Sequence, residues 1–411
     1  MIATLAVGCS TSAPTGSPVS SDAESSAGPS SSAQTSSSPA APVGDERGEI
    51  LERSPLTVDP DGRLAGENVT RVVYRSTAGY APDDPTGSFG TRVSGYVAVP
   101  SGTPPSGGWP IVAFGHGTTG TASNCGPSGY ADLLGETSTV AALLADGYVV
   151  AASDYQGLGE SDVPHPYLNS RTIAYNMIDM VRAAREMVPQ AGTRWAAIGS
   201  SQGGQAAWAS AEHAADYGTG LDFVGAAALA PAADVAPIAD GADAQPYVAP
   251  RFTQIQMAFI PLIVDGLRAV YPDFPVSDYM RGALAAGASD LTSCGPGSSF
   301  RKFSAITKVQ PGDATIASAG ALRRLHDMLL VDSLPQRRSA GPLFVGYGDA
   351  DQIITPAWTA AAVRRACAMG DTLSVSVAQG KGHTNTGLTP SAISWIGDRF
   401  AGEPAPSTCS R

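Results

Sequence analysis

Residues 198–204 read Ile198-Gly199-Ser200-Ser201-Gln202-Gly203-Gly204. An apolar run ends at Ile198 and an Ala-rich helical pattern begins near Gly203. Between them lies G-x-S-x-G with Ser201 at its centre. So sharp a strand-to-helix turn forces the serine into strained dihedrals, and side chains two residues to either side would clash. The turn lifts the serine oxygen off the sheet. It also sets the following amides at a helix N-terminus, where they can bind a developing negative charge. The bare pattern fits any Gly-rich turn; between a buried strand and a helix of small residues it marks Ser201 as a nucleophile.

Outward from this turn, apolar runs recur at 71–76, 91–99, 110–114, 147–152, 194–198, 223–229, 342–347 and 373–377. From the third onward they are nearly continuous rather than alternating, as strands buried on both faces are. Helical patterns lie between them at 137–146, 171–187, 204–215 and 357–369. This alternation predicts an α/β fold with a mostly parallel eight-stranded sheet flanked by helices. The first two runs, joined without a helix, predict an antiparallel hairpin at the sheet edge. The rhythm breaks over 235–340, which holds a Pro-punctuated apolar segment at 250–275 and small helices around 279–288 and 319–330. That interval is expected to be a helical cap inserted after the sixth strand, dividing one domain into 46–234 and 341–411.

A serine hydroxyl is a poor nucleophile at neutral pH and needs a base. Of five histidines, His383 lies in the Gly-flanked loop Gly380-Lys381-Gly382-His383, just after the last strand. The base needs a carboxylate to orient it and to stabilise its cation. Gly348-Asp349-Ala350-Asp351 follows the seventh strand. Asp351, with Ile353 and Ile354 behind it, is preferred, and Asp349 is assigned to the turn. The order Ser201, Asp351, His383 is that of the α/β-hydrolases. The oxyanion is expected on the backbone amides of Gln202 and of Thr118, with Thr119 the near alternative. Thr118 belongs to Gly115-His116-Gly117-Thr118-Thr119-Gly120, which also spells G-x-G-x-x-G. No helix follows to face a pyrophosphate, so a dinucleotide site is not expected. The 154–159 loop and His165-Pro166-Tyr167 end the fourth strand at the same edge; they either line the pocket or form a rigid loop beneath it.

Lys and Arg total 25 against 37 Asp and Glu, a formal net charge of −12 over 411 residues. With no basic run, nucleic-acid binding is not expected. No stretch of about 18 apolar residues offers a membrane-spanning helix. The chain starts MIATLAVGC, like the end of a bacterial lipoprotein signal with Cys9 as the acylated residue, though no basic residue precedes the apolar run. Residues 10–45 are rich in Ser, Pro and Thr and are expected to form a disordered tether. If Cys9 carries lipid, Cys125, Cys294, Cys367 and Cys409 remain, enough for two disulfides in an oxidising compartment, with three pairings open. No CxxC or Cys/His cluster suggests zinc, and neither metal nor cofactor is expected.

The elbow at 199–204, the 154–159 loop, the 164–168 stretch, the acid turn at 348–351 and Gly382-His383 together resemble the secretory lipase family of α/β-hydrolases. The resemblance covers about residues 50–409. It implies a serine carboxylesterase or lipase acting on lipid or other short-to-medium acyl esters through an acyl-enzyme, with Ser201, Asp351 and His383 as its triad. It also implies a helical cap and the pairing Cys125–Cys294 and Cys367–Cys409. One departure is S-S-Q-G in place of the family's S-G-G, where Gln202 is expected to narrow the acyl site.

The resulting expectation is an exported or envelope-anchored enzyme, monomeric by default, with a small ester or lipid as its substrate. A serine peptidase or an envelope acyltransferase would use the same triad, and a non-catalytic surface-binding module would leave it idle. The apolar residues Ile255, Met257, Phe259, Ile260, Leu262, Ile263 and Leu267 give the cap a body that packs on the sheet and in part lines an acyl pocket.

Overall fold

The computed structural model describes residues 46–59, 62–80, 89–160, 163–244 and 247–409. Cys9 and the 10–45 tether lie outside these residues. Among the described residues nine strands form one sheet: β1 (Ile50–Pro55), β2 (Asn68–Ala78), β3 (Phe89–Val99), β4 (Trp109–Gly115), β5 (Val149–Ser153), β6 (Ala191–Ser200), β7 (Asp222–Leu229), β8 (Leu343–Gly348) and β9 (Leu373–Ala378). Their order is β1-β2-β3-β5-β4-β6-β7-β8-β9. The pairs β1/β2, β2/β3 and β3/β5 are antiparallel, and every pair from β5/β4 to β8/β9 is parallel. The chain therefore has the α/β-hydrolase fold.

One strand exceeds the expected eight. β1 supplies the sheet edge, so the β2–β3 hairpin stands one place further in. Its sequence ILERSP is mostly exposed and carries two charges and a proline, features that blunt an edge strand and erase its apolar signal. By this count the long insertion follows β7.

The helices are α1 (Thr137–Ala145), α2 (Ser170–Met187), α3 (Gln202–His213), α4 (Gln254–Val270), α5 (Gly282–Ala286), α6 (Ala288–Thr292), α7 (Ser298–Ile306), α8 (Ala319–Val331), α9 (Pro356–Ala368) and α10 (Thr389–Ala401). One apolar cluster joins the sheet to α2, α3 and α9, and another joins its opposite face to α1 and α10. A third packs α4, α5 and α8 against Tyr167, Leu168 and Ile354 from the sheet's rim. The segment read as Pro-punctuated is mostly the single helix α4, with Pro261 inside it and a reciprocal Thr253–Gln256 cap at its start. Of its apolar residues Met257, Ile260, Leu262, Ile263 and Leu267 are buried, whereas Ile255 is exposed.

The sheet registers position the site. Gly115 of β4 pairs with Gly199 of β6, Ser200 with Leu229 of β7, and Leu229 with Gly346 of β8. The carboxyl ends of four parallel strands thus reach one rim, where α/β folds gather functional loops.

Candidate active site

Ser201 adopts φ 59° and ψ −117° between β6 and α3, conformational space that a side chain enters only when its surroundings hold it there. They do: the Ser201 N–H donates to Leu229 O at 2.9 Å, and its carbonyl accepts from Gln205 and Ala232, each at 3.0 Å. A Cβ on Gly203 would overlap the Gly115 carbonyl, and one on Gly199 would overlap the carbonyl of Gly203. The glycines on either side of the serine are therefore required by close approach of α3 to β4.

His383 Nε2 lies 2.8 Å from Ser201 Oγ, and its Nδ1 lies 2.7 Å from Asp351 Oδ2. A carboxylate can only accept, so Nδ1 donates to Asp351 and Nε2 is left to accept from the serine. Asp351 is 5% exposed, and its other oxygen takes the backbone N–H groups of Ile353 and Ile354 at 2.8 and 3.1 Å. The His383 loop docks directly on the loop after β8, where Ala350 N–H donates to Lys381 O at 2.9 Å and a Cβ on Gly348 would strike that carbonyl. Asp349 accepts from Gly380 N–H at 2.6 Å and so holds the turn.

Gln202 opens α3, so its N–H has no carbonyl a turn behind it. Its side chain, expected to narrow the acyl site, is wholly buried and turned to His165, with Nε2 donating to His165 Nε2 at 3.0 Å. Thr118 Oγ1 is 2.9 Å from the hydroxyl of Tyr167, whose pKa burial pushes up to about 12, so it stays a hydroxyl. A Cβ on Gly117 would lie 3.7 Å from the Ser200 carbonyl oxygen, so the 115–120 loop runs beside the elbow.

The loop after β5 is buried beneath the site, and the stretch that follows it borders a cavity. Asp154, Tyr155, Gln156 and Leu158 are buried beneath the site, with Asp154 accepting from Ser94 Oγ at 2.6 Å and Ser128 N–H at 2.9 Å. Tyr167 and Leu168 line a small apolar cavity with Ser201, Phe259, Ile263 and Trp358, about 30 Å³ in volume. A much larger cavity, about 410 Å³, is polar and walled by Asn169, Glu212, His213 and Asp332; none of Ser201, Asp351 and His383 borders it.

Cys125 pairs with Cys294 and Cys367 with Cys409, with Cα separations of 5.1 and 5.4 Å. The first bridge ties the loop after β4 to the segment after α6, beside hydrogen bonds from Asn124 Nδ2 to Cys294 O at 2.7 Å and from Lys302 Nζ to Thr119 O at 2.6 Å. Sequence reasoning did not anticipate the His165–Gln202 contact or Trp358 at the cavity; neither carries a local motif.

A strained serine on a strand-to-helix turn, bonded to a histidine that is bonded to a buried aspartate, places the site among those of α/β-hydrolases. Residues 132–408 match the secretory lipase family. The chain belongs to that family and is a carboxylic ester hydrolase. It is 26% identical to Lipase 6 of Candida albicans over 338 residues, covering 73% of this chain and 68% of that one. Among solved structures it superposes on Candida antarctica lipase A with a TM-score of 0.67 at 17% identity, over 88% of this chain and 84% of that one. The rice cell wall degrading esterase LipA of Xanthomonas oryzae gives 0.64 at 20% identity, over 85% and 96%. These structural likenesses carry the fold. Family membership and the two disulfides indicate an exported protein acting on an ester or lipid.

Proposed function

We propose that the enzyme hydrolyses short-to-medium acyl esters through an acyl-enzyme on Ser201. His383 takes the serine proton as Oγ attacks the ester carbonyl. Asp351 holds the ring in the Nδ1–H tautomer and stabilises the imidazolium. The tetrahedral oxyanion sits on the backbone N–H groups of Gln202 and Thr118. The imidazolium then protonates the departing alcohol, and water repeats the sequence to release the acid. The observation that carries this reading is the unbroken hydrogen-bonded line Ser201 Oγ–His383–Asp351, at 2.8 and 2.7 Å.

The apolar lining of the Ser201 cavity supports an acyl chain as its occupant. A space of about 30 Å³ is that of a water or two, so an ester enters as Phe259 and its neighbours swing aside. Residues 235–340 act as the cap over a catalytic domain made of 46–234 and 341–411. Acylated Cys9 anchors the enzyme peripherally to the envelope, with 10–45 as its tether.

Ser201→Ala tests the core of the proposal. Hydrolysis of p-nitrophenyl esters should fall by about 10⁴-fold or more, and near-normal turnover would overturn it. Rates across acyl lengths should peak at medium chains; a sharp maximum at acetate would contradict the assigned pocket. Incorporation of labelled palmitate that survives Cys9→Ser would remove the anchor.

A further inference from the structure

We infer that His165 is a positioning residue that acts through the Gln202 side chain to hold the peptide bearing the proposed oxyanion amide. The inference rests on the serine-hydrolase reading above and adds a residue to it.

The Ser201–Gln202 peptide follows a residue in strained conformation, and its orientation sets where the Gln202 N–H points. Its carbonyl end is held by Gln205 and Ala232. Its N–H end must stay free to bind the anion, so it cannot be fixed by a bond of its own. The side chain of Gln202 supplies the missing restraint. That side chain is fully buried and held at one end only: Nε2 donates to His165, while Oε1 has no partner among the described residues.

His165 is built to be a fixed acceptor. It is 2% exposed, and its Nδ1–H donates to the Gln156 carbonyl at 2.8 Å, which leaves Nε2 unprotonated and facing Gln202. Burial lowers its pKa to about 4, so the ring stays neutral near pH 7. Gln156 N–H in turn donates to Asn176 Oδ1 at 2.9 Å, inside α2. A continuous set of buried contacts thus runs from the longest helix of the fold to the first residue of α3.

His165→Phe keeps a flat ring and removes the acceptor. His165→Gln offers a carboxamide oxygen in its place, and Gln202→Met removes the donor at similar volume. Loosening a donor should cost less than the 10²–10³-fold loss that follows its deletion, so kcat for p-nitrophenyl butyrate should fall about tenfold in His165→Phe and in Gln202→Met. KM should stay within about twofold, the signature of an interaction made in the transition state. His165→Gln should recover most of the loss, and the double variant His165→Phe/Gln202→Met should be no slower than either single one. Equal losses in His165→Phe and His165→Gln, a rise in KM at unchanged kcat, or additive losses would overturn the inference. Ser201→Ala measured alongside separates the two readings. If it retains turnover, the hydrolase mechanism and this inference both fall; if it is inactive while His165→Phe matches the parent, only the inference does.

Discussion

Asp351 and His383 are joined by a 2.7 Å hydrogen bond between side chains that are 1% and 8% exposed, although 32 residues separate them. The carboxylate is anchored on its far side by two backbone amides, so it cannot turn away from the ring without breaking them. Asp349, two residues earlier, faces the 378–381 turn instead.

This difference separates the two aspartates experimentally. Asp351→Asn should lower kcat by about 10³–10⁴-fold, because the amide favours the wrong imidazole tautomer. Asp349→Asn should change kcat less than about threefold and cost about 1 kcal/mol of stability, the worth of one turn hydrogen bond. Steady-state kinetics and urea unfolding of the pair check both, and a dead Asp349→Asn beside an active Asp351→Asn would reverse the assignment.

Gly203→Ala should be poorly tolerated. The added methyl overlaps the Gly115 carbonyl, so α3 must retreat from β4 and carry Ser201 with it. A loss of about 3 kcal/mol or more is expected, the range for overpacking against a backbone. Denaturant unfolding of soluble material would measure it, and a variant of parental stability would show that the helix has room to move.

The Cys125–Cys294 bridge closes a sequence separation of 169 residues. Replacing both cysteines by serine should lower unfolding free energy by about 2–4 kcal/mol. Turnover of the folded variant should fall by no more than a few-fold, because Thr121, Asn124 and Lys302 still bond across the same junction. Urea titration without reductant, set against kcat at the same temperature, separates the two effects.

Glu212 is 3% exposed on the wall of the large polar cavity, and burial pushes its pKa up to about 7 despite bonds from the Gln336 and Arg337 amides. Between its ordinary value near 4.5 and about 7 the folded protein binds more protons at this site than the unfolded chain. Its contribution is therefore full at low pH and is lost as pH rises through that window. Buried His165 and His213, both lowered to about 4, act oppositely and weaken the fold as pH falls from about 6.5 to 4. Glu212→Gln should gain on the parent by roughly 2–3 kcal/mol between pH 4.5 and 7. Thermal midpoints of the two proteins across that range give the difference, and parallel curves would refute it.

Much of the architecture was legible because its signals are local. Continuous apolar runs marked β4 to β9, and the glycines around Ser201 announced a turn that only small residues permit. β1 was not legible, since an edge strand that faces water needs no apolar face. Helix α10 was passed over despite Pro390 at its start and Gly402 in left-handed conformation at its end, signals that were present to be read. Ile353 and Ile354 give Asp351 the apolar support legible in the sequence, and they also hold it through their amides, which the sequence does not show.

The chain's own order of residues decided which segments become strands and helices and where the elbow forms, because hydrophobic period and turn chemistry are properties of neighbours. Sheet register decided the rest. It set which aspartate the His383 ring meets and where the Gln202 side chain is tied, while the docking of loops and helices around the sheet set which cysteines pair. Ser201 and His383 are 182 residues apart and Gln202 and His165 are 37 apart. Hydrogen bonds fade beyond about 3.5 Å, so partners this distant in the chain are defined only once the parallel strands bring their carboxyl ends to one rim.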